Sequence, residues 1–120
     1  MNAAQMLASV KSHPDFHRAG MVLCHNGVVR ATSRDGRPVS GLTVAVDHGR
    51  LAAVLTEARR TPGLVDVQIE IAENQKLSVG EDVMVLIVAG DIRENVIRTL
   101  ESTLNAIKTT VTSKTEYFSD

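Results

Sequence analysis

Apolar residues recur along this chain at two periods, and their order predicts the elements. Ala3, Met6, Leu7 and Val10 fall at i, i+3, i+4, i+7, the spacing of a short amphipathic helix that Pro14 stops. Gly20 to Arg30, GMVLCHNGVVR, is rich in Val and Leu and reads as a strand interrupted at Gly27. The polar stretch ATSRDGRPVSG comes next, with Asp35-Gly36 as a turn signal. Leu42 to Val46 then reads as a partner strand, giving a hairpin with a long loop. Leu51, Val54, Leu55 and Ala58 restore the helical stripe, with Asp47 as its cap and Thr61-Pro62-Gly63 as its stop. Val65, Val67, Ile69 and Ile71 alternate with Asp66, Gln68 and Glu70, a half-buried strand. A turn around Val79-Gly80-Glu81-Asp82 leads to VMVLIVA at 83–89, apolar throughout and so expected to be a central strand covered on both faces.

The last third predicts a helix from Asp91. Asp91 with Glu94 three positions on resembles a capping box, and Ile97, Leu100, Leu104 and Ile107 form the stripe behind it. Extending that row back by four lands on Arg93, in line with the core-facing residues. A cation there opposes the helix dipole, by about 0.3–1 kcal/mol when exposed. A bound anion would relieve this, since helix amino termini are anion sites; a snorkelling side chain or a pair with a carboxylate such as Asp91 would do as well. Lys108 ends the helix, where it complements the dipole. Lys114 lies in the strand-like tail VTSKTEYF. The resulting order, α-β-β-α-β-β-α-β, predicts an α+β fold with helices packed on a largely antiparallel sheet.

Composition narrows the function. At 120 residues the chain is expected to be a single domain spanning 1–120. One Tyr, two Phe and no Trp leave an aliphatic core and no base-stacking platform, and thirteen basic residues against fourteen acidic ones leave no global pull toward nucleic acid or membrane. No apolar run approaches the roughly 20 residues that span a bilayer, and Met1 to Val10 lacks the marks of a signal peptide, so a cytoplasmic location is expected. Cys24 is the only cysteine and is expected to be a buried small hydrophobe. His13, His17, His25 and His48 lack metal-ligand spacing, and no metal or cofactor is expected. The loop with Arg30, Arg34 and Arg37, offset by Asp35 alone, is the densest basic cluster.

Several of these motifs, in this order, resemble the molybdopterin synthase large (catalytic) subunit family. Gly27-Val28-Val29-Arg30 is similar to its Gly-x-Val-Arg strand end, and the polar loop and Leu42-Thr43 strand match the family's next loop and strand. Leu77-x-x-Gly80-Glu81 is similar to the family's turn before the apolar strand, and the helix from Arg93 to Lys108-Thr109 resembles the one that starts after His-Arg and ends in Lys-Thr. The resemblance spans about residues 18–116. It implies a hammerhead fold, a homodimer, and a small ubiquitin-like sulfur-carrier subunit whose thiocarboxylate tail delivers sulfur to cyclic pyranopterin monophosphate. It also implies that Arg30 and Arg93 bind substrate phosphate or the carrier's carboxylate; Arg34 and Arg37 are further substrate-binding candidates from the basic cluster of their loop, where plain solvation is the alternative. Lys108 and Lys114 would be the active-site lysines. Ile92 stands where the family has His, Thr112-Ser113 replaces an aromatic pair, and the family's longer carboxy-terminal segment is missing.

Two other readings fit the same residues. A non-catalytic oligomeric binding or regulatory relative would keep the scaffold and an anion site. A ferredoxin-like small-molecule-binding domain would show no clustering of Arg30, Arg93, Lys108 and Lys114.

Overall fold

The structure is a computed structural model that describes residues 2–119. Its elements are helix α1 (Ala3–Lys11), strands β1 (Met21–Val28) and β2 (Val39–Val46), helix α2 (His48–Arg59), strands β3 (Leu64–Ile71), β4 (Leu77–Ser78) and β5 (Asp82–Gly90), helix α3 (Arg93–Ala106), a π-helical turn (Ile107–Val111) and strand β6 (Thr112–Phe118). The α+β class and the element order agree with the sequence pattern, apart from the two-residue β4 and a 3-10 turn at Phe16–Arg18.

Two antiparallel sheets divide the strands, one ordered β1-β5-β3 and the other β4-β2-β6. Strand β5 is central, and both faces of its apolar run, residues 83–89, are covered. Met84, Leu86 and Val88 face a core shared with Ala58, Val67, Val96, Ile107 and Val111, under α2, α3 and the π-turn. Val85, Ile87 and Ala89 face Met6 and Val10 of α1. Asp47 caps α2 as expected, its carboxylate accepting from the Arg50 amide at 3.0 Å.

The expected β1–β2 hairpin does not form. β1 pairs with β5, whereas β2 pairs with β4 and β6. The intervening residues close a small loop of their own, with a bridge between Thr32 and Pro38 and with Gly36 at φ +87°. Leaving the first sheet there, the chain builds the second one as a projection. The radius of gyration is 15.3 Å and the extents are 51 × 26 × 23 Å, against about 13.6 Å expected for a compact chain of this length.

Helix α3 is also rotated from its expected setting. Val96, Thr99 and Thr103 are its buried residues, while Ile97 is 49% exposed. Two threonines on the inner face hide that face from a hydrophobicity pattern. Ile92, not Asp91, occupies the cap position and has no acceptor to offer, so the capping box is absent. The Asp91 carboxylate accepts instead from the Ile92 amide at 2.7 Å and the Asn95 side chain at 2.8 Å. Those hydrogen bonds, Asn95's first, hold its pKa below the usual carboxylate value. Cys24, expected inside, is exposed. It pairs with Ile87 and so lies on the α1 side of β5, on a strand where exposed and half-buried residues alternate.

Candidate functional site

Where the two sheets meet, the chain forms a pocket of about 280 Å³ lined by Arg30, Arg34, Lys108, Lys114 and Glu116, with Val28 and Val29 among its walls. Four cations face one carboxylate, so the pocket suits an anion.

The charged groups arrive by three routes: the loop after β1, the π-turn and strand β6. Strand β1 ends in a register shift at Gly27/Val28. Beyond it, the Val29 amide donates to the Glu81 carbonyl at 3.0 Å and the Gly80 amide to the Val29 carbonyl at 2.8 Å. The Glu81 carboxylate accepts from the Ser78 amide at 2.9 Å, closing the turn that makes this clamp. Arg30 comes next, its Nε donating to the Thr32 carbonyl at 2.8 Å. The same loop brings Arg34, and the Ser33 hydroxyl donates to the Asp35 carboxylate within it. That bond is the main reason the Asp35 carboxyl titrates below its ordinary value.

Lys108 rides on the π-turn, a rare one-turn widening that is frequent at functional sites. Threonines occupy the loosened carbonyls: Thr110 donates to the Ala106 oxygen at 2.7 Å and Thr112 to the Ile107 oxygen at 3.3 Å. Lys114 lies on edge strand β6 opposite Val44. Two residues along and on the same face, Glu116 sets its carboxylate 4.0 Å from the Lys114 Nζ.

Two expected members lie elsewhere. Arg93 pairs with Glu94 at 3.5 Å, is 79% exposed, and borders a groove with Gly20, Met21 and Ile92. Roughly 20 Å of helix separates it from Lys108 at about 1.5 Å per residue, so the two cannot share a pocket within one chain. Its expected alignment with the core stripe fails because the stripe itself is rotated. Arg37 stacks on Phe118, 3.6 Å from the ring centroid, and does not line the pocket. Ile92 is remote from the pocket too.

Sequence reading missed two residues. Glu116 was legible in principle, because strand alternation puts it beside Lys114. His25, set aside for lack of metal-ligand spacing, is half-buried on β1. Burial first, and the charge of Lys108 second, hold its pKa below 6.5. Among the described residues no three His, Cys, Asp or Glu side chains are grouped to hold a metal ion, and no helix is long and apolar enough to cross a membrane.

The family model described as MoaE protein matches residues 1–110. The chain belongs to the MoaE family. Among solved structures, a molybdopterin synthase from Staphylococcus aureus is similar in fold at 20% identity and TM-score 0.80, covering 100% of this chain and 87% of that one. A molybdopterin cofactor biosynthesis protein E from Burkholderia multivorans is similar at 21% identity and TM-score 0.77, with 99% and 86% covered. A complex of subunits 1 and 2 of molybdopterin-converting factor from Helicobacter pylori contains a similar chain at 14% identity and TM-score 0.72, with 100% and 85% covered. No curated protein is significantly similar in sequence. Of the four cations that the ferredoxin-like reading expects to stay apart, this MoaE chain brings Arg30, Lys108 and Lys114 together and leaves Arg93 elsewhere.

Proposed function

We propose that this chain is the large subunit of a molybdopterin synthase and works in molybdenum cofactor biosynthesis. One observation carries the reading beyond family membership: Arg30, Arg34, Lys108 and Lys114 converge on one pocket from three separate parts of the chain. The substrate is cyclic pyranopterin monophosphate, and the sulfur donor is the thiocarboxylate tail of a small ubiquitin-like carrier. The Helicobacter pylori complex of two subunits supports a small-subunit partner.

The pocket's chemistry fits anions at every stage. Arg30 and Arg34 offer planar guanidinium forks to the substrate phosphate or the carrier's carboxylate. Once the thiocarboxylate sulfur has bonded to a substrate carbon, the carrier is held as a thioester. Water attacks its acyl carbon, the acyl carbon–sulfur bond breaks, and the carrier leaves as a carboxylate. The sulfur stays on the substrate as a thiolate, so negative charge develops within the site. Lys108 and Lys114 stabilise that charge, and Glu116 fixes the position of the Lys114 ammonium. Arg93 joins such a site only from a second copy, which a homodimer would supply.

Reconstitution tests the reading. The chain, a thiocarboxylated carrier and cyclic pyranopterin monophosphate should yield molybdopterin. No product, alongside a working control synthase, would refute it, and carrier binding without turnover would mark a non-catalytic relative.

A further inference from the structure

Glu116 carries an acceptor that the chain leaves without a donor. Three carboxylates among the described residues are part-buried, those of Asp66, Glu73 and Glu116. The Asp66 carboxylate accepts from the Val67 amide at 2.8 Å, and that of Glu73 meets the His48 ring at 2.8 Å. The Glu116 carboxylate makes no hydrogen bond among the described residues. Its ion-pair partner, the Lys114 Nζ, stands 4.0 Å off, which is beyond hydrogen-bond reach. A gap of that size is where a bridging water belongs. The Glu116 side chain is 25% exposed against 58% for Lys114, so the carboxylate is the more enclosed of the two and still meets solvent.

The surroundings give that water a task. Glu116 pairs with Leu42 across the sheet and Lys114 with Val44, so the two charges share the face that lines the pocket. The other charged lining groups, Arg30, Arg34, Lys108 and Lys114, as cations only donate hydrogen bonds. Glu116 is therefore the one charged group in the pocket able to receive a proton. Hydrolysis of the carrier's thioester needs such a group, because the attacking water must shed a proton as it bonds to the acyl carbon.

We propose that Glu116 is a catalytic residue, the general base that prepares water to hydrolyse the thioester joining carrier to substrate. The inference rests on the synthase reading and names the residue behind one of its steps. The water gives a proton to a Glu116 carboxylate oxygen as its own oxygen bonds to the acyl carbon. The carbonyl electron pair moves onto the thioester oxygen, where the Lys114 ammonium stabilises it. That pair then returns, the carbon–sulfur bond breaks, and its electrons leave on sulfur as a thiolate. Glu116 and the carrier's new carboxyl group each release a proton to solvent.

The experiment is a single turnover of the reconstituted synthase, quenched over time and read by intact-mass spectrometry of the carrier. Forming the thioester adduct consumes no water, so Glu116→Gln should slow that step only by what a loosened Lys114 costs. Decay of the adduct to carrier carboxylate should slow by a further 10²–10⁴-fold or so, about the worth of a general base, and the adduct should accumulate. Glu116→Asp keeps a carboxylate on a shorter arm, so its adduct should outlive that of the wild type and decay faster than that of Glu116→Gln; it carries the comparison if Glu116→Gln does not fold. Adduct decay at the wild-type rate in these variants overturns the proposal. So does an equal fall in both steps, which is what a tether for Lys114 alone would give. A wild type that yields neither adduct nor molybdopterin sinks the synthase reading. A wild type that makes molybdopterin, beside a folded Glu116→Gln that accumulates no adduct, sinks this inference alone.

Discussion

The Gly80 amide donates to the Val29 carbonyl at 2.8 Å. Through that bond the turn before β5 holds the end of β1, and so sets where Arg30 begins. Gly80 adopts φ +90°, a conformation that side chains strain against by about 1–3 kcal/mol. Gly80→Val should therefore lower stability by about that amount, read by denaturant unfolding. It should also weaken anion binding more than an equally destabilising core substitution such as Val67→Ala.

Lys108→Ala and Lys114→Ala should each slow molybdopterin formation by about 10²–10³-fold, the loss typical of removing one preorganised electrostatic stabiliser. Both side chains lie on exposed residues, so circular dichroism and melting temperature should stay near wild type. A loss of rate that merely tracks a loss of fold would contradict the assignment.

Arg34 and Arg37 are three residues apart and should behave oppositely. Arg34→Ala should weaken binding of inorganic phosphate, read by calorimetry, because Arg34 lines the pocket. Arg37→Ala should leave that binding in place and cost about 0.5–1 kcal/mol of stability through the lost stacking on Phe118.

Stability should fall in two acid windows. His25 titrates below 6.5 in the folded chain, so the unfolded chain binds its proton first. Its contribution is whole above pH 6.5 and is lost as pH falls through the folded value. Asp91 and Asp35 titrate below 3.8, so their contributions are present above that pH and are lost further into acid. Denaturant midpoints measured against pH should show the upper window in the wild type and not in His25→Gln.

Much of the fold was legible because local chemistry agreed with it. Asp47 caps α2, the apolar run at β5 demanded two covered faces, and Gly80 marked its turn. What failed was set by contacts distant in sequence. Nothing local says that β1 takes β5 rather than β2 as its neighbour, and the choice sends Arg30 to a junction between sheets. Thr99 and Thr103 read as polar but are buried, which turned the expected face of α3 and misplaced Arg93. Lys108 and Lys114 were singled out by family resemblance. His25 had no signal of its own, since its burial follows from a register only the paired strands define.

The pocket's four cations stand at positions 30, 34, 108 and 114. A nascent chain therefore carries both arginines long before either lysine exists, and the lysines meet them only once both sheets have closed. No partly folded form can capture the anion with full strength. Ligand occupancy would thus report a finished molecule, and a bound anion would in turn act as a rivet across the seam between the two sheets.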